Sequence, residues 1–145
     1  MKTNGGFLVT KIKQLGDRIF ERILAEKNID AFNGAQGRIL YVLWQEDGVP
    51  IKIISEKSGL AITSLTTMLE RMEKNGLISR KTDEADKRKT LLFLTDKAKE
   101  LNGAYDSVSN EMGNIYYRDF TDKEILQFEE YLNRIRVNLE EWSDK

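Results

Sequence analysis

Apolar residues recur three and four positions apart along most of this chain, and the spacing shortens to two at one place, after Gly76. The longer spacing marks one face of an α-helix and the shorter one a strand. A chain patterned in this way folds as packed helices around one short β element. Leu8, Ile12, Leu15, Ile19 and Ile23 make the first stripe, on a helix expected from about Phe7 to Lys27. A break at Asn33-Gly34 precedes a densely apolar second helix from Ala35 to Gln45.

The last third reads as two long helices. Thr95 caps the first, on which Leu101, Tyr105, Val108, Met112 and Ile115 follow at spacings of 4, 3, 4 and 3. Thr121 with Glu124 forms a capping box for the second, each side chain satisfying an orphan N–H. Its stripe is Ile125, Phe128, Leu132, Ile135, Leu139 and Trp142. Such repeats line the seam between helices that cross at shallow angles. They could serve an internal bundle or a second copy of the chain. Three long stripes exceed what one domain of 145 residues covers by itself, so a homodimer is expected. Its contacts are placed at Leu8, Ile12, Leu15, Leu101, Val108, Ile115, Phe128, Leu132, Ile135 and Leu139.

The middle has another texture. Ile51 to Ser58 is a short helix with Pro50 at its start, and Gly59 permits the left-handed turn that ends it. A helix from about Ile62 to Asn75 follows, closed by Gly76. Two short helices joined by a tight turn containing Gly make a helix-turn-helix. Leu65, Leu69 and Met72 turn the second helix to the core, with Met68 beside them. Thr63, Ser64, Thr66, Thr67 and Arg71 fall elsewhere. Hydroxyls at a helix start can simply reflect N-terminal preference. They are also side chains suited to base edges and phosphates. Leu77 to Lys81 and Lys89 to Leu94 then read as two strands, and the connection between them ends in Lys87-Arg88-Lys89. A basic hairpin tip directly after a helix-turn-helix is placed to reach phosphates or a minor groove.

Composition narrows the chemistry. The chain contains no Cys and no His, which removes disulfides, thiolate nucleophiles, Cys-ligated metals and the commonest general base. No metal or cofactor is expected, and an enzyme is disfavoured. The net charge of −1 hides a gradient: residues 1–50 carry +1, residues 51–95 carry +3 and residues 96–145 carry −5. The basic part is where a polyanion would bind. The longest apolar run, Ile39 to Trp44, is far short of a bilayer span of roughly 20 residues, and the start has no signal-peptide core. A cytoplasmic location away from membranes is expected.

Asp86-Lys87-Arg88-Lys89-Thr90-Leu91-Leu92-Phe93-Leu94-Thr95 fits the pattern Asp-x-Arg-x-x-x-Leu-x-Leu-Thr at every fixed position. In this run, and in the run from Leu69 to Ile78, the chain resembles the multiple-antibiotic-resistance regulator (MarR) family of winged-helix transcription regulators. The clear match covers about residues 33–100, and the helix order fits from 7 to 142. The resemblance implies a mainly α fold with a small β-wing, a winged helix-turn-helix over 33–95, and a helical dimerisation region over 1–32 and 96–145. It assigns DNA contacts to Thr63, Ser64, Thr66 and Thr67 at the start of the recognition helix and to Arg88 in the wing. Asp86 would orient Arg88 by a charge-assisted bond, with Lys87 and Lys89 adding phosphate contacts. The sequence departs from the family where many relatives have Arg after the recognition-helix Thr, a position held here by Thr67. Ile54-Ser55 replaces a usual Leu-Ala pair, and Ser58 stands where many relatives have Leu.

The function so implied is a homodimeric regulator of transcription, most simply a repressor, bound to a pseudo-palindrome in double-stranded DNA. Family members commonly bind small aromatic or apolar effectors, and Tyr41 and Trp44 are candidates to line such a pocket, with core packing as their ordinary use. The alternative is a winged helix that binds another protein without reading DNA.

Overall fold

A computed structural model describes residues 1–144. It divides into two compact units, Met1–Asn110 and the remainder from Glu111. The first unit begins with α1 (Gly5–Glu26), which buries only Ile23 and Leu24 near its end. Leu8, Ile12 and Leu15 on the same helix are exposed. Asn28, in the left-handed region at φ 57°, turns the chain out of the helix. Asn33 then caps α2 (Gly34–Gln45) in a capping box with Gln36, and Ile39, Leu40, Val42 and Leu43 are buried along it. Glu21 on α1 accepts a hydrogen bond from the Gly34 amide, which ties the two helices together.

The helix-turn-helix follows as α3 (Ile51–Ser58) and α4 (Ile62–Lys74), with the bounds that Pro50, Gly59 and Gly76 predict. After it, β1 (Ile78–Thr82) pairs antiparallel with β2 (Thr90–Leu94), Ile78 opposite Leu94 and Thr82 opposite Thr90. A bridge from Val49 to Leu92 adds a third edge to this small sheet. Ile39, Leu40, Leu43, Ile54, Leu65, Leu69, Met72, Leu77 and Leu92 are all fully enclosed. The core therefore sits beneath the helix-turn-helix and the inner face of the wing.

Two expectations need correction. The helix expected from Thr95 is broken into α5 (Asp96–Lys99) and α6 (Asn102–Tyr116). Thr95 does cap, accepting from the Ala98 amide at 3.2 Å. The chain then tightens as the Leu101 amide reaches back three residues to Ala98, and Asn102-Gly103 are weak helix formers. Leu101 thus lies in a turn, half-buried. Val108 is fully buried by its own chain, so its place in the stripe is core packing, not a contact for a second copy.

In the second unit Thr121 and Glu124 form the expected capping box, at 2.9 and 3.1 Å, and open α7 (Asp122–Ser143). No residue of α7 is buried. Tyr117 gathers Tyr116, Phe120 and Phe128 edge-on, with ring centroids 5.7–6.2 Å apart. Its hydroxyl donates to Glu129 at 2.7 Å.

Candidate nucleic-acid interface

The turn between α3 and α4 is held by two serines. Gly59 adopts φ 76° there, a conformation that costs a residue with a Cβ. Ser55 donates its hydroxyl to the Leu60 carbonyl at 2.7 Å, and the buried Ser58 oxygen accepts from the Leu60 amide at 3.1 Å. Both backbone polar groups of Leu60 are thereby satisfied inside the turn. These are the positions where the sequence departs from the family's apolar residues, so the departure supplies a polar clasp.

On α4, Leu65, Leu69 and Met72 are buried as the periodicity predicts. Thr63, Thr67 and Arg71, four residues apart on the opposite side, make an exposed ridge, with Ser64 and Thr66 exposed on its flanks. Thr66 donates its hydroxyl to the Ile62 carbonyl at 3.0 Å. Ile62 is 47% exposed at the helix start. Sequence reasoning misses its departure from the core, because it sits at the margin of the apolar face and the stripe alone does not place it.

The wing tip is built around Asp86. Its carboxylate accepts from the Arg88 amide at 3.1 Å and from the guanidinium Nε and Nη2 at 3.0 and 3.2 Å. These bonds, chiefly those of the guanidinium, hold the Asp86 carboxyl below the usual aspartate range, and Lys89 adds to the effect. Lys87, Arg88 and Lys89 are all exposed. Asp83 is used locally, accepting from the Ala85 amide at 2.9 Å. At the wing's base Arg80 meets Glu73 of α4 at 3.3 Å, and the Thr95 hydroxyl donates to the Gly76 carbonyl at 2.6 Å. The wing and α4 therefore share anchors within one compact unit. Among the described residues no group of three or more carboxylates could hold a metal ion.

Tyr41 and Trp44, the candidates for an effector pocket, pack onto Tyr105 of α6, with ring centroids at 5.7 and 5.4 Å. Phe20 and Phe32 reach the same ring at 6.0 and 6.1 Å, and Trp44 donates its indole N–H to the Ala98 carbonyl. A side chain at Gly37 would come within 3.0 Å of Tyr105, which explains glycine there. The centre of the cluster is thus a residue that the sequence places only in a stripe, and its partners come from α1, α2 and the loop between them.

The MarR family model matches residues 32–90, which include α2 to α4, β1 and the loop that carries Asp86 and Arg88. The chain is 36% identical over 77 residues to the HTH-type transcriptional regulator TtmR of Methylorubrum extorquens, a stretch covering 53% of this chain and 40% of that protein. It is also 36% identical over 81 residues to the organic hydroperoxide resistance transcriptional regulator of Bacillus subtilis, covering 51% and 55%. The chain therefore spans about half the length of these curated relatives. A solved cysteine-to-serine mutant of MarR from E. coli, complexed with operator DNA, superposes with a TM-score of 0.80 at 21% identity, covering 90% of this chain and 91% of that one. No helix among the described residues is long and apolar enough to cross a membrane. Over residues 32–90 the chain is therefore similar to the MarR family, and its fold is the one that solved MarR regulators share.

Proposed function

We propose that this chain is a homodimeric, sequence-specific regulator of transcription that binds double-stranded DNA, acting in the cytoplasm as a repressor by occupying an operator. The observation that carries the reading is the exposed ridge of Thr63, Thr67 and Arg71 on α4, backed by a wing arginine held in place by Asp86. In a helix-turn-helix the second helix lies in the major groove, with its N-terminal residues on base edges. Ser64 and Thr66 on the flanks, with Lys87 and Lys89 at the wing tip, complete the contact set. The work is binding, with no catalytic step.

Residues 33–95 read the DNA in this proposal, and residues 1–32 and 96–145 make the dimer. The exposed stripes support that division: Leu8, Ile12 and Leu15 on α1, and Phe128, Leu132, Ile135 and Leu139 on α7, present apolar side chains to solvent. A twofold dimer sets its half-sites about 10 base pairs apart, or a multiple of that. A small aromatic or apolar acid is the fitting effector, with the half-exposed Tyr41 offering it a ring.

The test is selection from a randomised duplex pool by the full-length protein at moderate salt, with the bound DNA sequenced. Enrichment of an inverted repeat is the expected result. A folded, dimeric protein that enriches no sequence would replace this reading with a protein-interaction module.

A further inference from the structure

The DNA-reading proposal can be carried to the chemistry of the base read. From Ile62 to Leu69, α4 contains no Arg, Lys, Asn or Gln, and its first cation is Arg71. The side chains exposed in its first two turns are Ile62, Thr63, Ser64, Thr66 and Thr67. The long donors that clasp guanine O6 and N7, or the adenine edge, in two bonds are therefore missing where base edges are approached. Four of the five exposed side chains end in methyl groups. Thr66 is the most constrained of them, because its hydroxyl is bonded to the Ile62 carbonyl at 3.0 Å. That bond commits its proton and restrains χ1, so the γ-methyl is held in one direction, one helical turn from the exposed Ile62 on the same face.

We infer that α4 recognises thymine through its C5-methyl group, with Ile62 and the Thr66 methyl as the specificity-determining contacts. The inference rests on the DNA-binding reading. Thymine alone among the bases presents a methyl in the major groove, and apolar side chains and the Thr methyl are its natural partners. No bond is made or broken in this contact. What is gained is apolar surface removed from water, so each contacted thymine contributes about a fourfold change in affinity.

The experiment uses the full chain and a duplex carrying the selected inverted repeat. Each thymine of a half-site is replaced in turn by deoxyuridine, which removes the methyl and keeps every hydrogen-bonding group. Fluorescence anisotropy should show a loss of about fourfold at one or two positions. Thr66→Ser keeps the back-bonded hydroxyl and deletes only the methyl, and Ile62→Ala truncates the neighbouring contact. Each variant should bind the thymine operator more weakly and lose its sensitivity to deoxyuridine at one position. A selected repeat bound equally well with deoxyuridine throughout would overturn this inference and leave the regulator standing. Failure to select any sequence would overturn both.

Discussion

Arg88 donates three hydrogen bonds to Asp86, one from its amide and two from its guanidinium, all between 3.0 and 3.2 Å. The arginine side chain is nonetheless 90% exposed. An ion pair in that setting adds little to folding stability. Its consequence is geometric: a flexible cation is held in one orientation at the end of a hairpin, with less conformational entropy left to lose when it meets a phosphate.

Arg88→Ala should therefore weaken DNA binding across sequences while leaving the unfolding midpoint nearly unchanged. If Arg88 neutralises one phosphate, the slope of log K against log salt should fall by about 0.9. Anisotropy titrations at several salt concentrations measure this. Asp86→Asn keeps the cation but loosens it, so it should lower affinity without changing the slope. A variant at Arg88 with the wild-type salt slope would remove the residue from the phosphate contacts.

Ser58 gives a prediction about the turn. Its buried hydroxyl oxygen is the acceptor for the Leu60 amide. Ser58→Ala leaves that donor without a partner, at a cost of about 1–3 kcal/mol in urea unfolding. The turn sets where α4 begins, so DNA affinity should fall as well. Ser55→Ala should cost less, about 0.5–1.5 kcal/mol, because the half-buried Leu60 carbonyl can turn to water.

Local pattern decides much of this molecule without reference to tertiary contacts. Pro50 and Gly59 bracket α3, and the Thr121–Glu124 box marks the start of α7, because each is decided within a few residues. Asp86 and Arg88 are two residues apart, so their pairing was readable too. What escaped is non-local or marginal. The stripe from Leu101 to Ile115 runs through the break between α5 and α6, because apolar spacing does not register a tightened turn at Leu101. Val108 lies in a stripe expected to face a second copy, yet other elements of its own chain enclose it. Tyr105 draws partners from positions 20, 32, 41 and 44, a convergence no window along the chain contains. The Ser55–Ser58 clasp depends on the left-handed turn at Gly59, which makes two ordinary serines meet one backbone.

Tyr117 supplies a pH prediction. Burial, followed by its hydrogen bond to Glu129 and the charge of that carboxylate, raises its hydroxyl from the ordinary tyrosine value to about 12. The folded value lies above the unfolded one, so the linked stabilisation is fully present below about pH 10. It is lost as pH rises through about 12. Ultraviolet titration of phenolate should show Tyr117 ionising late, with Tyr105, raised by its own burial, also above the ordinary range. Glu129→Gln should bring the Tyr117 step to lower pH, and a midpoint unchanged by the substitution would assign the shift to burial alone.

The exposed face of α7 makes the last prediction. Leu132 and Leu139, seven residues apart on one stripe, are 38% and 65% exposed, and an amphipathic stripe of that length in water is uncovered apolar surface. Lysine at an exposed position of a single chain disturbs little, whereas two lysines brought against their symmetry mates repel across an isologous contact. Leu132→Lys combined with Leu139→Lys should convert a dimer into a folded monomer, measured by sedimentation equilibrium at micromolar concentration with helical content retained. Val108→Ala is the contrast, since it should cost about 1–3 kcal/mol of stability through a core cavity and leave the interface surface intact. A wild-type chain that sediments as a monomer at that concentration would remove the homodimer, and with it the expectation of a palindromic operator.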